Sequence, residues 1–529
     1  MLTEMREPDK ICLGYRDHFA QAKEIFLRYS NSKIYQIILL LLLCIIIPQN
    51  NTHAGWSENM RLTYRGNEIS PQVIARNDTV HVVWTESITN SARVSYIRST
   101  DGGQTWGPIV DLSAPNHPCP DANPTLNQAE RGLLVSWFDW DPTVGITTIG
   151  IRKSSNAGTT WGNPSYVYTD NPNHFGLPVS AVKGDSIFLA YFSERDDSTG
   201  SRPFKSLHSY NYGTTWSDEV TMGHPFVLMP QPIRMSYCSG TLLVAWAGTA
   251  DSSRRYEVHI YGYRSTDAGR TWSDTIWISP NIQYDAQTPC MTCNKSTGQI
   301  IVGYMDYRYQ IYASWGDIFA SISDNNGLQW HFETQPSTHH TAAAPSFEFT
   351  EDTLTSVWAD IQFNISGEPE IVFNRSNDGG LTWLGEQRLT QTEGESGAAV
   401  LSMDRGNIHV VWAEVLNSGA IDLFYKRFTP DSTDNIEESG TVIPKDFAIS
   451  AYPNPFNSSL IIDISSKESG IINIYDIQGR IITKYLYNEG NHKILWDAKG
   501  DDNQPLPSGI YFIGRKGDSK NNIKVVHVK

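Results

Sequence analysis

Basic charge is what this 529-residue sequence has little of: 41 Lys and Arg stand against 57 Asp and Glu, a formal net charge of −16. Such a chain repels nucleic-acid phosphates and anionic membrane surfaces, so neither is expected as a partner. Long hydrophobic runs are also missing. The one strongly apolar stretch, residues 37–47, has 11 residues, against roughly 20 for a membrane-spanning helix. Its length, the preceding Lys23, Arg28 and Lys33, and the small-residue site Thr52-His53-Ala54 fit a signal peptide. Residues 1–54 are therefore expected to be a leader, with no membrane span in the mature chain; an uncleaved anchor is the alternative. Cysteine is scarce too. Cys12 and Cys44 fall in the leader, leaving Cys119, Cys238, Cys290 and Cys293. Cys290 and Cys293 have CxxC spacing, but no second such pair or histidine cluster supplies the other zinc ligands. No metal and no cofactor are expected. In an exported chain the pair reads as an ordinary disulfide or two buried thiols.

What the sequence has is turns, aromatics and a repeat. Its 40 Gly, 27 Pro and 16 Trp suit many short strands joined by tight turns. One eight-residue pattern recurs six times, beginning at Ser99, Ser154, Ser209, Ser265, Ser323 and Ser376, with spacings of 55, 55, 56, 58 and 53 residues. The first copy reads Ser99-Thr-Asp101-Gly-Gly103-Gln-Thr105-Trp106. A carboxylate or amide two residues before a glycine suits a hairpin tip. The side chain accepts backbone N–H bonds, and glycine supplies the positive φ.

A second repeat gives a different count. Apolar strands ending in an aromatic residue occur seven times, at Trp84, Trp137, Tyr191, Trp246, Tyr304, Trp358 and Trp412. The seventh unit has no hairpin pattern and no fourth strand after Phe428. The missing strand is expected from the other end of the unit. Trp56-Ser-Glu-Asn-Met-Arg61-Leu-Thr63 shares a W-x4-R-L-T pattern with Trp383-Leu-Gly-Glu-Gln-Arg388-Leu-Thr390, which follows the sixth copy.

The eight-residue pattern S-x-D-x-G-x-T-W is similar to the Asp-box of bacterial neuraminidase repeats, and the chain resembles sialidase-like β-propellers. The resemblance implies an all-β propeller; the seven strand units make it a seven-bladed ring over 55–429, and the six blades of characterised sialidases, with one aberrant unit, are the alternative. The resemblance also implies that Asp101, Asn156, Asn211, Asp267, Asn325 and Asp378 are structural staples on the face opposite an active site. Residues 430–446 are acidic and polar and read as a linker. Residues 447–529 carry Tyr452-Pro-Asn-Pro-Phe456-Asn457, several short apolar strands and Pro507-Ser-Gly-Ile-Tyr511. This segment resembles the C-terminal sorting domain of the type IX secretion pathway, an immunoglobulin-like β-sandwich. That resemblance implies secretion or attachment to the outer cell surface, with the secretion machinery as a partner.

Ligands of such a ring are expected at the mouth of its central channel. The acidic residues two positions after the repeated aromatic belong near there: Glu86, Asp139, Asp306, Asp360 and Glu414, with Glu194 close to the same position in the third unit. A carboxyl pair could serve glycoside hydrolysis; the competing reading is a repeated structural role. Arg195 and Arg308 follow second strands, and Tyr307-Arg308-Tyr309 is the densest aromatic and basic cluster on that face. A sialidase also needs three arginines to clamp its substrate's carboxylate. The first normally lies in an F/Y-R-I-P motif before the first Asp-box, where this chain has Ser70-Pro-Gln-Val-Ile-Ala-Arg76. The expectation is therefore a secreted propeller that binds a glycan or a surface protein and does no catalysis. A divergent exo-acting glycoside hydrolase and a structural surface component are the alternatives.

Overall fold

The computed structural model describes residues 55–430 and 447–528, apart from short segments that include 115–121, 169–177, 194–200, 226–232, 250–256 and 310–314. The chain divides into two compact units at Asp431 and Ser432. Every regular element among the described residues is a β-strand.

In the first unit the hub of each sheet is a strand covered on both faces, which must be apolar at consecutive positions rather than alternating ones. Thr241–Gly248 and Ile300–Asp306 are buried at every residue. Trp84, Trp137, Tyr191, Trp246, Tyr304, Trp358 and Trp412 are the large buried side chains of the seven hubs. Each hub pairs antiparallel with the strand before and the strand after, and a short outer strand completes the sheet. Six sheets are built from consecutive sequence. The seventh, hub Asn407–Val415, takes its outer edge from the N-terminal segment: Trp56 lies opposite Phe428, and Arg61 opposite Phe424. The two W-x4-R-L-T segments do the same job in sheets six and seven. Arg388 pairs with buried Glu370 at 2.7 Å, and Arg61 pairs with buried Asp422. Thr390 Oγ1 accepts from Ile371 N, and Thr63 Oγ1 from Leu423 N.

The inner strands pack one on the next around a ring, and Glu395–Asp404 packs on Glu68–Arg76 to close it. Four inner strands carry a register shift, with Ser70, Thr288, Ala344 and Ala398 at positive φ. Such bulges sharpen the local twist.

The Asp-box turns lock neighbouring sheets together. Ser99 Oγ donates to Asp101 Oδ1 and accepts from Gly103 N. Asp101 in turn accepts from Thr105 N at 2.9 Å and Thr105 Oγ1 at 2.6 Å. Gly103 has φ +86°, and a Cβ there would lie 1.8 Å from the Tyr425 hydroxyl of the seventh sheet. Arg98, Arg264 and Arg427 each reach the next box, donating to the carbonyls of Ala157, Asn326 and Gly102. The last of these crosses the closure of the ring.

The cysteines depart from the CxxC expectation. Cys238 and Cys293 form a disulfide between the inner strands of sheets four and five, with Cα atoms 6.2 Å apart, and Cys290 is a buried free thiol. Residues three apart on a strand face opposite sides, so Cys290 and Cys293 cannot bridge each other. Burial pushes the Cys290 thiol up to about 12, which leaves it unreactive. Cys119 lies outside the described residues.

The second unit has two sheets: Phe447–Tyr452, Leu460–Ser466 and Gly490–Trp496 in one, and Ile481–Tyr487, Gly470–Asp476, Gly509–Arg515 and Ile523–His527 in the other. Leu460, Ile462, Ile464, Ile472, Ile474, Trp496 and Ile513 are its fully enclosed core. Asn454 accepts from Val526 N and donates to Lys524 O, and so pins the last strand.

Candidate functional site

The acidic residues after the hub aromatics sit where the hub strands end, away from the Asp-box turns. All five described ones are buried, with exposures of 0–4%. Each holds an internal partner. Asp139 accepts from Trp137 Nε1 at 2.6 Å, Asp360 from Trp358 Nε1 at 2.9 Å and Glu414 from Trp412 Nε1 at 3.0 Å. The residue two along a strand lies on the same face, so the carboxylate meets the indole of its own hub. Asp360 also takes Thr341 Oγ1 at 2.6 Å and Gln362 N at 2.9 Å. Burial holds its carboxyl above the usual range in spite of these bonds. Glu86 turns instead to Arg65 and Arg93, at 2.6 and 3.1 Å.

Sheet five is the most heavily charged. Arg308 makes two 2.8 Å bonds to Asp306 and two more to Glu333, and its guanidinium covers the Phe319 ring at 3.9 Å. Burial alone would lower the Arg308 pKa, but the hydrogen bonds to Asp306 and Glu333 outweigh it and hold the guanidinium above its ordinary value. Tyr304 Oη donates to Glu333 at 2.6 Å. A Tyr–Glu pair is what sialidase-like nucleophilic chemistry implies. This phenol, however, is fully enclosed, and burial together with Glu333 holds it well above its ordinary pKa. The same arrangement recurs in sheet three, where Tyr191 donates to Glu219 at 2.5 Å and Lys205 pairs with that carboxylate. A unit that appears twice at one position of the repeat is a structural unit.

Of the predicted cluster, Tyr307 is half-buried and Tyr309 is 52% exposed. Glu194 and Arg195 lie outside the described residues. The sequence reading missed His340. Its Nδ1 lies 2.6 Å from buried Asp317, and its ring is 5.2 Å from that of Tyr309. His339 beside it pairs with Glu386 at 2.8 Å. Two adjacent histidines ahead of an inner strand, at a position where the other units have none, were the available signal. Glu68 and Asp422 were also missed. They are a buried carboxyl pair at the ring closure, and burial and Asp422 lift Glu68 to about 7. Among the described residues, no cluster of three or more His, Cys, Asp or Glu has metal-site geometry.

Residues 450–529 match the family model of the secretion system C-terminal sorting domain. No curated protein matches the chain. Among solved structures, it is similar to the Penicillium chrysogenum alpha-L-arabinanase complexed with arabinobiose, at 15% identity and a TM-score of 0.41 over 59% of this chain and 94% of that one. It is similar to the intramolecular trans-sialidase from Ruminococcus gnavus in complex with oseltamivir carboxylate, at 12% identity and 0.40 over 72% and 99%. Trypanosoma rangeli sialidase gives 9% and 0.40 over 89% and 90%. Identities and scores this low say nothing about activity. The sorting domain indicates secretion and attachment at the cell surface, and no described helix is long and apolar enough to cross a membrane. Residues 450–529 thus match a secretion system C-terminal sorting domain, and the unit before them is, in its described residues, a ring of seven antiparallel sheets.

Proposed function

We propose that the chain is a secreted or surface-held propeller that binds a glycan or a surface protein and does no catalysis. The observation that supports this most is the state of the candidate carboxylates. Glu86, Asp139, Asp306, Asp360 and Glu414 are enclosed, and each is held by an indole, hydroxyl or guanidinium of the fold. General acid–base and nucleophilic roles need a group within reach of the substrate. Arg308 is likewise saturated by two carboxylates, so it has no fork left for a substrate acid. What faces solvent near these strand ends is an aromatic rim, Tyr309 beside His340, suited to stacking on a sugar or a peptide.

One observation favours the hydrolase reading. His340 is partly exposed and is backed by buried Asp317, as a general base would be. The test is to incubate the purified full chain with sialylated and mixed polysaccharides and read the products by mass spectrometry. No release is expected. Release of a monosaccharide that is lost in His340→Ala would sink the binding-only reading. Binding on a glycan array is expected to fall in Tyr309→Ala.

A further inference from the structure

Sheets five and six leave their hubs through the same turn. Arg308 N donates to Asp306 Oδ1 at 2.8 Å, and Gln362 N donates to Asp360 Oδ1 at 2.9 Å. The residue after each turn is aromatic and exposed: Tyr309 at 52% and Phe363 at 38%. These two stand at the same place in the repeat, counted from the hub aromatics Tyr304 and Trp358. In the other units that place is held by Thr89, Pro142, Asp196, Asp251 and Asn417. Aromatic rings therefore occupy it in two neighbouring sheets and in no others. Sheets five and six share one core, in which Ile301, Met305 and Ile318 cluster with Phe347, Trp358 and Val372. Sheets packed face to face lie about 10 Å apart, and equivalent positions on the two are separated by about that much.

A line of contacts joins the two rings. The His340 ring lies 5.2 Å from that of Tyr309, and its Nδ1 is 2.6 Å from buried Asp317. Next to it, His339 Nδ1 is 2.8 Å from buried Glu386. Glu386 also accepts from the side chain of Gln362 at 3.0 Å, the residue before Phe363. A carboxylate only accepts, so in the neutral ring each Nδ1 donates and each Nε2 is left as an acceptor. Neither Nε2 has a partner among the described residues, and the His339 and His340 side chains are 52% and 34% exposed. His340 holds φ +60°, a backbone strain of the kind that gathers at ligand contacts. The arginines of the strip are committed: Arg308 to Asp306 and Glu333, and Arg388 to Glu370 at 2.7 Å. Arg388 also backs the Phe363 ring, 5.4 Å from its centre.

We infer that this strip binds an uncharged glycan chain. One sugar ring stacks on Tyr309 and another on Phe363, and hydroxyls between them donate to His339 and His340. An exposed aromatic face suits the C–H face of a pyranose. Two such faces a sheet spacing apart are further apart than one pyranose reaches, so the ligand is a run of several residues rather than a terminal unit. Charge decides against an acidic sugar. A uronate calls for a guanidinium fork, and both arginines of the strip are already paired, in a chain of net charge −16. The strip offers acceptors instead, which a neutral, hydroxyl-rich chain can use. Its contacts are shallow and lie in line, so affinity comes from their sum.

This inference rests on the glycan-binding reading, and the test separates the two. The full chain is titrated by calorimetry with neutral gluco-, manno-, xylo- and arabino-oligosaccharides of graded length, and with oligogalacturonates of matched length. Affinity is expected to rise with length in a neutral series and to be weaker for the uronates. Tyr309→Ala and Phe363→Ala are each expected to weaken the longest neutral ligand about tenfold and to remove the gain with length. Both side chains are exposed, and thermal melts confirm that the variants fold. Affinity that does not depend on length, or that falls in Tyr309→Ala but not in Phe363→Ala, overturns the strip and leaves glycan binding at Tyr309 standing. Tighter binding of the uronates overturns the uncharged class. No binding of any of these by the wild-type chain overturns this inference and the glycan reading together, and leaves a surface protein as the partner.

Discussion

Sheets four and five are neighbours, tied by Cys238–Cys293, and they solve the same packing problem in opposite ways. Sheet five encloses Tyr304, Asp306, Arg308 and Glu333 in one saturated network. Sheet four replaces each charge by glycine, threonine, histidine or tryptophan and is left with an open cavity and an unpartnered indole. Charge inside a repeat is thus not evidence of a site. The sharpest way to break this comparison is to break the network. Arg308→Ala leaves enclosed Asp306 and part-buried Glu333 without their cation, and roughly 3 kcal/mol of stability is expected to be lost. Urea unfolding measures it. A loss below about 1 kcal/mol would mean that solvent reaches sheet five as freely as sheet four.

The bond between the two sheets comes next. Cys238 and Cys293 are 55 residues apart, and closing such a loop restricts the unfolded chain by an amount equivalent to about 4 kcal/mol at most. The Cys238→Ser, Cys293→Ser double variant is expected to unfold at correspondingly lower urea. An unchanged midpoint would show that the inner-strand packing alone holds the two sheets.

Much of this was legible. The seven hub aromatics correspond to the seven sheets where the six Asp-boxes do not, and W-x4-R-L-T at Trp56 and Trp383 revealed where the last sheet finds its outer strand. Those features repeat, and repetition makes a weak local signal readable. The bulges at Ser70, Thr288, Ala344 and Ala398 were not legible, since Ser, Thr and Ala at positive φ carry no turn signature. Nor was the fate of the hub carboxylates. Sequence places Asp139 and Trp137 on one strand face, but only packing shows that the indole takes the carboxylate rather than leaving it to a substrate. The Cys238–Cys293 pairing was hidden for a related reason. It joins different units, and the CxxC spacing drew attention to the wrong partner. The sheet-four cavity is legible only in retrospect, as Gly248 standing where acids stand elsewhere.

Acid separates the closure of the ring from sheets four and five. His81 Nδ1 is hydrogen-bonded to Tyr96 Oη, and His409 Nδ1 to Tyr425 Oη, each at 2.8 Å inside the core of the first and seventh sheets. Burial, with Arg98 and Arg427 adding to it, lowers them to about 4 and about 3. Their unfolded value is near 6.5. The folded state therefore resists a proton that the unfolded chain accepts, and stability is lost as pH falls below 6.5 toward the folded values. About 2 kcal/mol per histidine is expected between pH 7 and pH 5. Sheets four and five have Leu243 and Ile301 at the same position and no such His–Tyr pair there. Hydrogen exchange at pH 5 is expected to open the first and seventh sheets before the fourth and fifth; the reverse order would contradict the assignment.

The smallest expected effect tests sheet four itself. If the indole of Trp246 is short of an acceptor, then giving it one from within stabilises the protein. Gly248 lies within a strand and is not at positive φ, so a side chain meets no backbone strain there. Gly248→Asn supplies a neutral acceptor on the face where Asp139, Asp360 and Glu414 meet their indoles. A gain of about 1 kcal/mol is expected from the new hydrogen bond and the removal of a strand glycine. Gly248→Asp supplies the same geometry with a charge, whose desolvation offsets part of the gain, so it is expected to stabilise less. Asp360 tolerates its burial because Thr341 and Gln362 also donate to it. A Gly248→Asn variant no more stable than wild type would mean that leaving the Trp246 indole without an acceptor costs the fold nothing.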